Sequence, residues 1–239
     1  VTYGRNNFAF SKGPGSFVML TAFVVDTELE FDSPTMEAPC PENCRQCIDA
    51  CPTGALQPFR LNPKACIAFN TFMTQDKYRG TLTSSHILPE IREKMGSWIH
   101  GCDLCQEACP RNKPRVKAMA SFPVSSFLQL IARRFDLRQV LLLTDEYYSE
   151  VLRPVMYNYL RHKRYFQRNA AIAMGNSGDD SYVECLSQAL QDADPLVRGY
   201  SGWALGRLGG AEIRSALEKA LRAETDEKAR GEMESALAA

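Results

Sequence analysis

The sequence predicts an α+β protein in three parts: a β-hairpin left over from a larger sheet domain (residues 1–38), a cysteine-rich module (39–122) and a helical repeat region (123–239). Three observations predict it. A nearly continuous apolar run, Phe17–Val25, reads as a buried strand near the start of the chain. Eight of the nine cysteines fall between positions 40 and 109. After Pro123 apolar residues recur at helical spacing, and they do so with a repeat.

Composition sets the frame. At 239 residues, 45% hydrophobic and 23% charged, the chain reads as an ordinary globular protein rather than a disordered one. Its longest apolar run is far short of the ~20 residues of a membrane helix, and no signal-peptide pattern is visible. A cytoplasmic monomer with no membrane partner is the expectation. The 28 basic and 28 acidic residues cancel, but unevenly: residues 1–60 sum to −3, 111–178 to +8 and 179–239 to −5. The positive stretch points to a local anionic partner, or to a solubilising helix face.

The hairpin is read over residues 8–25, with Lys12-Gly-Pro-Gly15 as its turn. Two strands alone are marginal. They need sheet partners, which the sequence downstream does not offer, so an upstream portion is expected.

The cysteines are spaced Cys40-x3-Cys44-x2-Cys47-x3-Cys51-Pro52, then Cys66, then Cys102-x2-Cys105-x3-Cys109-Pro110. Zinc sites and disulfides are the competing readings. However, a C-x2-C-x3-C-P ending that occurs twice is the pattern of a two-cluster, ferredoxin-like module, in which the fourth cysteine of each run serves the other cluster. Applied here, that crossing assigns Cys40, Cys44, Cys47 and Cys109 to one [4Fe-4S] cluster. Cys66, Cys102, Cys105 and Cys51 fall to a second. Two departures stand out: the first gap has three residues, and a 35-residue insertion parts Cys66 from Cys102. The insertion reads as two helices, the first opened by Asn62-Pro63 and the second over Ser85–Met95. Cys185 sits in an apolar helical pattern and reads as core.

The C-terminal region begins with Ser125–Phe135, which sets Phe127, Leu128, Leu130 and Ile131 on one face. Helices follow at about 137–143, 145–161, 164–175, 180–191, 195–208, 211–222 and 226–238, with Asp194-Pro195 as a start and Gly209-Gly210 as a stop. Gly175 to Gly206 and Leu190 to Leu221 are both 31 residues apart, so the helices pair into a HEAT-like α-solenoid. Within it Arg161, Lys163, Arg164 and Arg168 form a basic group interleaved with Tyr165 and Phe166. Arg161, Arg164 and Arg168 share a helix face and could meet successive phosphates of an RNA. A solvated face is the plainer reading, and Phe166 reads as core.

In its order of parts the chain resembles the epoxyqueuosine reductase family. The resemblance is carried by Tyr3-Gly-Arg-Asn-Asn7, Gly15-Ser-Phe17, Cys47-Ile-Asp-Ala-Cys-Pro-Thr-Gly-Ala55, Cys66-Ile67 and Gly101-Cys-Asp-Leu-Cys-Gln-Glu-Ala-Cys-Pro-Arg-Asn112. It implies the C-terminal part of a cobalamin-dependent reductase that converts epoxyqueuosine to queuosine in a tRNA anticodon loop. In that reading the clusters pass electrons to cobalamin, and the helical region helps to hold tRNA. Arg5, Asn6 and Ser16 are the candidate cobalamin contacts, and the upstream part or a separate corrinoid domain is the partner. This chain alone is then not expected to turn over substrate. The competing function is an electron-transfer module serving another corrinoid or redox enzyme; a third is a binding protein with structural clusters. His100, next to Gly101-Cys102, could reach a cluster sulfur or line a cofactor. Lys12-Gly-Pro-Gly-Ser16 lacks the ending of a phosphate-binding P-loop.

Overall fold

The computed structural model describes residues 2–33, 36–37, 40–72, 86–156 and 162–238. In chain order its elements are β1 (Thr2–Tyr3), β2 (Ala9–Phe10), α1 (Gln46–Asp49), β3 (Leu56–Gln57), β4 (Arg60–Leu61), α2 (Ile67–Phe72), α3 (Pro89–Arg92), α4 (Leu104–Glu107), α5 (Lys113–Met119) and α6 (Ser126–Arg134). There follow α7 (Leu137–Leu141), α8 (Asp145–Tyr147), α9 (Arg164–Ser177), α10 (Val183–Ala189), α11 (Pro195–Leu208), α12 (Ala211–Ala223) and α13 (Glu227–Ala238). The fold is α+β, mostly helical with two small antiparallel sheets. The chain divides into two compact units, Val1–Cys66 with Cys102–Val124, and Ile67–Gly101 with Ser125–Ala239.

In the first unit β1 pairs with β2, Thr2 opposite Phe10 and Tyr3 opposite Ala9. The hairpin thus lies earlier than its sequence reading. Phe17–Val25 forms no strand, and Phe23 and Val24 are 86% and 103% exposed. An apolar run becomes a buried strand only where its backbone finds a ladder; among the described residues nothing pairs with this one. A second hairpin joins β3 to β4, with Leu56 opposite Leu61. Asn62 caps as expected: its Oδ1 accepts from Lys64 N–H at 3.2 Å and Pro63 takes the first position, but the turn it opens is 3₁₀.

In the second unit the later half of the insertion is α3 followed by a 3₁₀ turn, Glu93–Met95. It begins at Pro89 rather than Ser85, which lies outside the described residues, because proline suits the first turn and holds Leu88 extended. Gly96 ends it with φ +54°. Ser125 caps α6, yet Ile131 is its buried residue while Phe127, Leu128 and Leu130 remain about half exposed. After α8 the chain widens into a π turn, Tyr148–Leu152, and then leaves the helix over 153–156; the remainder of the helix expected to reach 161 falls on residues outside those described.

The repeat has a packing cause. α9 packs on α11, and α11 on α13. A Cβ on Gly175 would stand 2.8 Å from Ala204 Cα, one on Gly206 2.6 Å from Ala236 Cβ, and one on Gly199 3.0 Å from Ala229 Cα. Successive helix pairs therefore meet at glycine–alanine crossings where only hydrogen fits, and the spacing of those glycines is the period of the stack. Cys185 is buried on α10 as expected, its Sγ 3.1 Å from the Tyr182 carbonyl.

Candidate metal centre

The two cysteine runs fold alike. In the first, Arg45 O accepts from Ile48 and Asp49 N–H to start α1, which carries Cys47; Cys51 N–H then closes back on Ile48 O at 3.1 Å. In the second, Asp103 O accepts from Gln106 and Glu107 N–H to start α4, which carries Cys105; Cys109 N–H closes on Gln106 O at 3.2 Å. α1 and α4 pack against each other. In each run Cys-Pro ends the turn and sends the chain away.

The thiols fall into two neighbourhoods. Burial pushes the Cys47 thiol up, and Cys40, Cys109 and Cys44 push it further. Burial likewise raises Cys109, with Cys40 and Cys44 adding to it. Cys105 is pushed up to about 12 by burial, then by Cys102, Cys66, Cys47 and Cys51. Cys102 is raised by burial and also feels Cys66 and Cys51. Cys40, Cys44, Cys47 and Cys109 thus stand together, as do Cys51, Cys66, Cys102 and Cys105, and Cys47 lies within reach of Cys105. Four thiols crowded in this way cannot all ionise against one another; a cationic core among them removes the conflict and takes them as thiolates.

Backbone N–H groups already face the sulfurs. Burial raises Cys51, but Thr53 Oγ1 and the N–H groups of Thr53, Ala55 and Leu56 outweigh it, so its thiol is lowered. Arg111 and Asn112 N–H do the same, less completely, at Cys109, as does Leu104 N–H at Cys102. Arg5 N–H donates to Cys40 Sγ at 3.3 Å. Such donors suit thiolates bound to an iron–sulfur core. Among the described residues no three Cys, His, Asp or Glu side chains surround a single ion; a cluster of four irons takes thiolates at separate corners.

The three candidate cobalamin contacts have other partners in the first unit. The Arg5 guanidinium bonds the Glu42 carbonyl and lies 5.7 Å from the centre of the Phe59 ring. Ser16 Oγ donates to Gln106 Oε1 (2.8 Å) and accepts from Asn112 Nδ2 (2.7 Å), while Ser16 N–H donates to Asn112 Oδ1 (3.0 Å). Gly15 is required beside it, since a Cβ there would stand 2.3 Å from Asn112 Oδ1. Asn6 accepts from Phe8 N–H at 3.2 Å, and its buried Nδ2 has no partner among the described residues. The Ser16–Gln106–Asn112 network was not singled out in the sequence, although all three residues lie in the phrases that carry the family resemblance.

The basic group on α9 is not a free row. Arg168 is 2% exposed: Nη2 donates to Asn70 O (2.6 Å) and Nε to Asn169 Oδ1 (3.0 Å), and burial lowers its pKa to about 10. It is a core residue and cannot meet a phosphate, which corrects the expectation for it; Tyr165 is likewise fully buried. Lys163 pairs with Asp145, and Arg164 with Asp194 at 3.5 Å. Arg161 lies outside the described residues. His100 belongs to the second unit, stacked on Phe72 (5.5 Å) and Phe166 (5.9 Å), and burial lowers its pKa.

Comparison with known proteins agrees with this layout. Residues 40–112 match the family of 4Fe-4S double cluster binding domains, and residues 154–238 match HEAT repeats. Epoxyqueuosine reductase of Bacillus subtilis is 35% identical over 222 residues, 92% of this chain and 53% of the relative. A Geobacillus stearothermophilus protein, named only for its place in the gldA 3′ region, is 34% identical over 92% of this chain and 95% of its own length. A crystal structure of an epoxyqueuosine reductase with an epoxyqueuosine-modified tRNA-Tyr stem loop superposes with a TM-score of 0.79 at 30% identity, over 98% of this chain and 59% of that one. This chain spans about half the length of the curated epoxyqueuosine reductases it matches. It belongs to the epoxyqueuosine reductase family and carries that family's iron–sulfur and helical-repeat portion.

Proposed function

We propose that this chain is the electron-delivering portion of a cobalamin-dependent reductase that converts epoxyqueuosine in tRNA to queuosine. The carrying observation is the pair of crossed thiol neighbourhoods. The proposed ligands are Cys40, Cys44, Cys47 and Cys109 for one cluster, and Cys51, Cys66, Cys102 and Cys105 for the other. Two neighbouring clusters form a relay for single electrons. Loss of an epoxide oxygen as water, leaving an alkene, takes two electrons and two protons. Cobalamin would supply the chemistry at the epoxide, while this chain's residues hold and feed it. Of Arg5, Asn6 and Ser16, Asn6 holds a buried donor, Nδ2, that has no partner among the described residues.

Two exposed features fit partners. The apolar residues Met19, Phe23, Val24 and Phe31, 86–103% exposed, would be covered by a corrinoid-binding domain, whether in the same polypeptide or a separate one. On the helical unit a cleft of about 940 Å³, lined by Arg133, Arg134, Arg138, Tyr147 and Tyr182 among others, joins Lys163 and Arg164 as the proposed surface for tRNA. No helix among the described residues is long and apolar enough to cross a membrane. A cytoplasmic monomer is the proposed state, tRNA being a cytoplasmic substrate.

The test is an anaerobic assay with epoxyqueuosine-containing tRNA, cobalamin and a low-potential reductant, read by mass spectrometry of the nucleosides. Queuosine should form when this chain is paired with the corrinoid-binding portion, and not with either part alone. If the reduced clusters discharge into other acceptors but never yield queuosine in the paired assay, the electron-transfer module for another redox enzyme takes its place.

A further inference from the structure

In a ferredoxin-type run the ligands lie two or three residues apart, so the chain itself keeps them together. Here 35 residues part Cys66 from Cys102, yet both act on Cys105. A free loop of that length would scatter its ends, and closing it costs entropy. Something must close it.

The root of the insertion is tied within the second unit. Asn169 on α9, 0% exposed, donates from Nδ2 to the carbonyl of Thr71 (2.8 Å) and to that of Ile99 (2.8 Å). Gly101 N–H donates to Thr71 Oγ1 at 2.9 Å. Arg168 bonds Asn70 O at 2.6 Å and holds Asn169 Oδ1 through Nε and Nη2. Both protons of the Asn169 amide are therefore used, one on each leg, and its oxygen is pinned. Thr71 is five positions after Cys66, Ile99 is three before Cys102, and Gly101 adjoins Cys102.

We propose that Asn169 is a positioning residue for the second cluster: its carboxamide clasps the outgoing and returning legs of the insertion, so that Cys66 and Cys102 are presented to one core. The clasp rests on the double-cluster reading. It assigns the insertion to the helical repeats and makes one side chain of α9 responsible for where the cluster ligands emerge. Asn176, two turns along the same helix, offers a matched control: its Nδ2 donates to Arg92 O (2.8 Å) and Gly96 O (3.3 Å), in the body of the insertion.

Asn169→Asp keeps the shape and the acceptor for Arg168 but removes both donors, and Asn176→Asp does the same away from the cysteines. The full chain and both variants would be purified anaerobically and compared in iron, acid-labile sulfide and the electron paramagnetic resonance of the reduced clusters. About eight irons in the unsubstituted chain establish the double-cluster reading; their absence sinks that reading and leaves the clasp with nothing to position. Given eight, Asn169→Asp should fall to about four irons with one cluster signal gone, while Asn176→Asp keeps both. Unchanged iron and signals in Asn169→Asp, or equal losses in the two variants, would overturn the clasp. If Asn169→Asp does not fold, Thr71→Val, which removes the hydroxyl that accepts from Gly101, is read against the same two outcomes.

Discussion

Cys51 belongs to the first cysteine run by sequence, but its neighbours are Cys102 and Cys105 of the second. Cys51→Ser should therefore strip or perturb the cluster assigned to Cys66, Cys102 and Cys105, and leave the other cluster's resonance in place. Loss of the first cluster's signal instead would mean that the ligands follow chain order. A second residue sets an acid limit. The Glu224 side chain is 1% exposed and takes two bonds from Arg198, at 2.6 and 2.7 Å. Those bonds hold its carboxyl down to about 2, against the burial that would raise it. A depressed folded-state pKa gives stability above the unfolded value, near 4.5, that drains away as pH falls toward 2. The stabilisation is at most about 3 kcal/mol at 1.36 kcal/mol per unit. Thermal melts of the unsubstituted chain and Glu224→Gln should differ most at pH 6, and the gap should shrink steadily as pH falls from 4.5 toward 2. A gap that did not change with pH would show that this pair carries no such linkage.

At the level of the helices, stability turns on what a glycine faces. Glycine to alanine in an exposed helix interior commonly stabilises by roughly 0.5–1 kcal/mol. Gly231 on α13 has open space where a methyl group would stand, with nothing within 4 Å, and Gly231→Ala should follow that rule. Gly206→Ala should do the opposite, losing about 1–3 kcal/mol to overpacking, because its methyl would stand 2.6 Å from Ala236 Cβ. Denaturant midpoints of the two variants must move in opposite directions; a common direction would undo the packing account of the repeat. These same elements show what was legible in the sequence. Helices over 195–208 and 211–222 were readable because caps, stops and period agree, and the double-cluster module because two short cysteine runs end alike in Cys-Pro. Arg168 was not readable: an arginine on a basic stretch looks solvated until Asn70 and Asn169, distant or hidden by context, supply its bonds. Nor was the fate of Phe17–Val25, since a run of apolar residues records the need for cover but not its source.

For the molecule as a whole, the two units draw their stability from different sources. The helical unit buries Phe166, Ile172, Met174, Leu186, Leu205 and Met233 almost completely. The cysteine unit buries, among its described residues, Ala9, Phe10, Ala55 and Leu56 beside Cys47 and Cys109. So small an apolar set is too little for a domain of this size to hold itself together, and metal binding commonly supplies the remainder. Its buried polar network, Ser16 with Gln106 and Asn112, adds specificity but removes little apolar surface from water. Iron removal should therefore act on one unit and spare the other. Hydrogen exchange of the protein before and after anaerobic chelation should show residues 40–61 and 102–119 losing protection, while α9, α11 and α13 keep theirs. Far-UV circular dichroism should fall only slightly, because the long helices lie in the unit that does not depend on iron. Protection that persists over 40–61 without iron would mean that the first unit folds on its own core. Loss that spreads evenly through α11 and α13 would mean that the two units unfold as one.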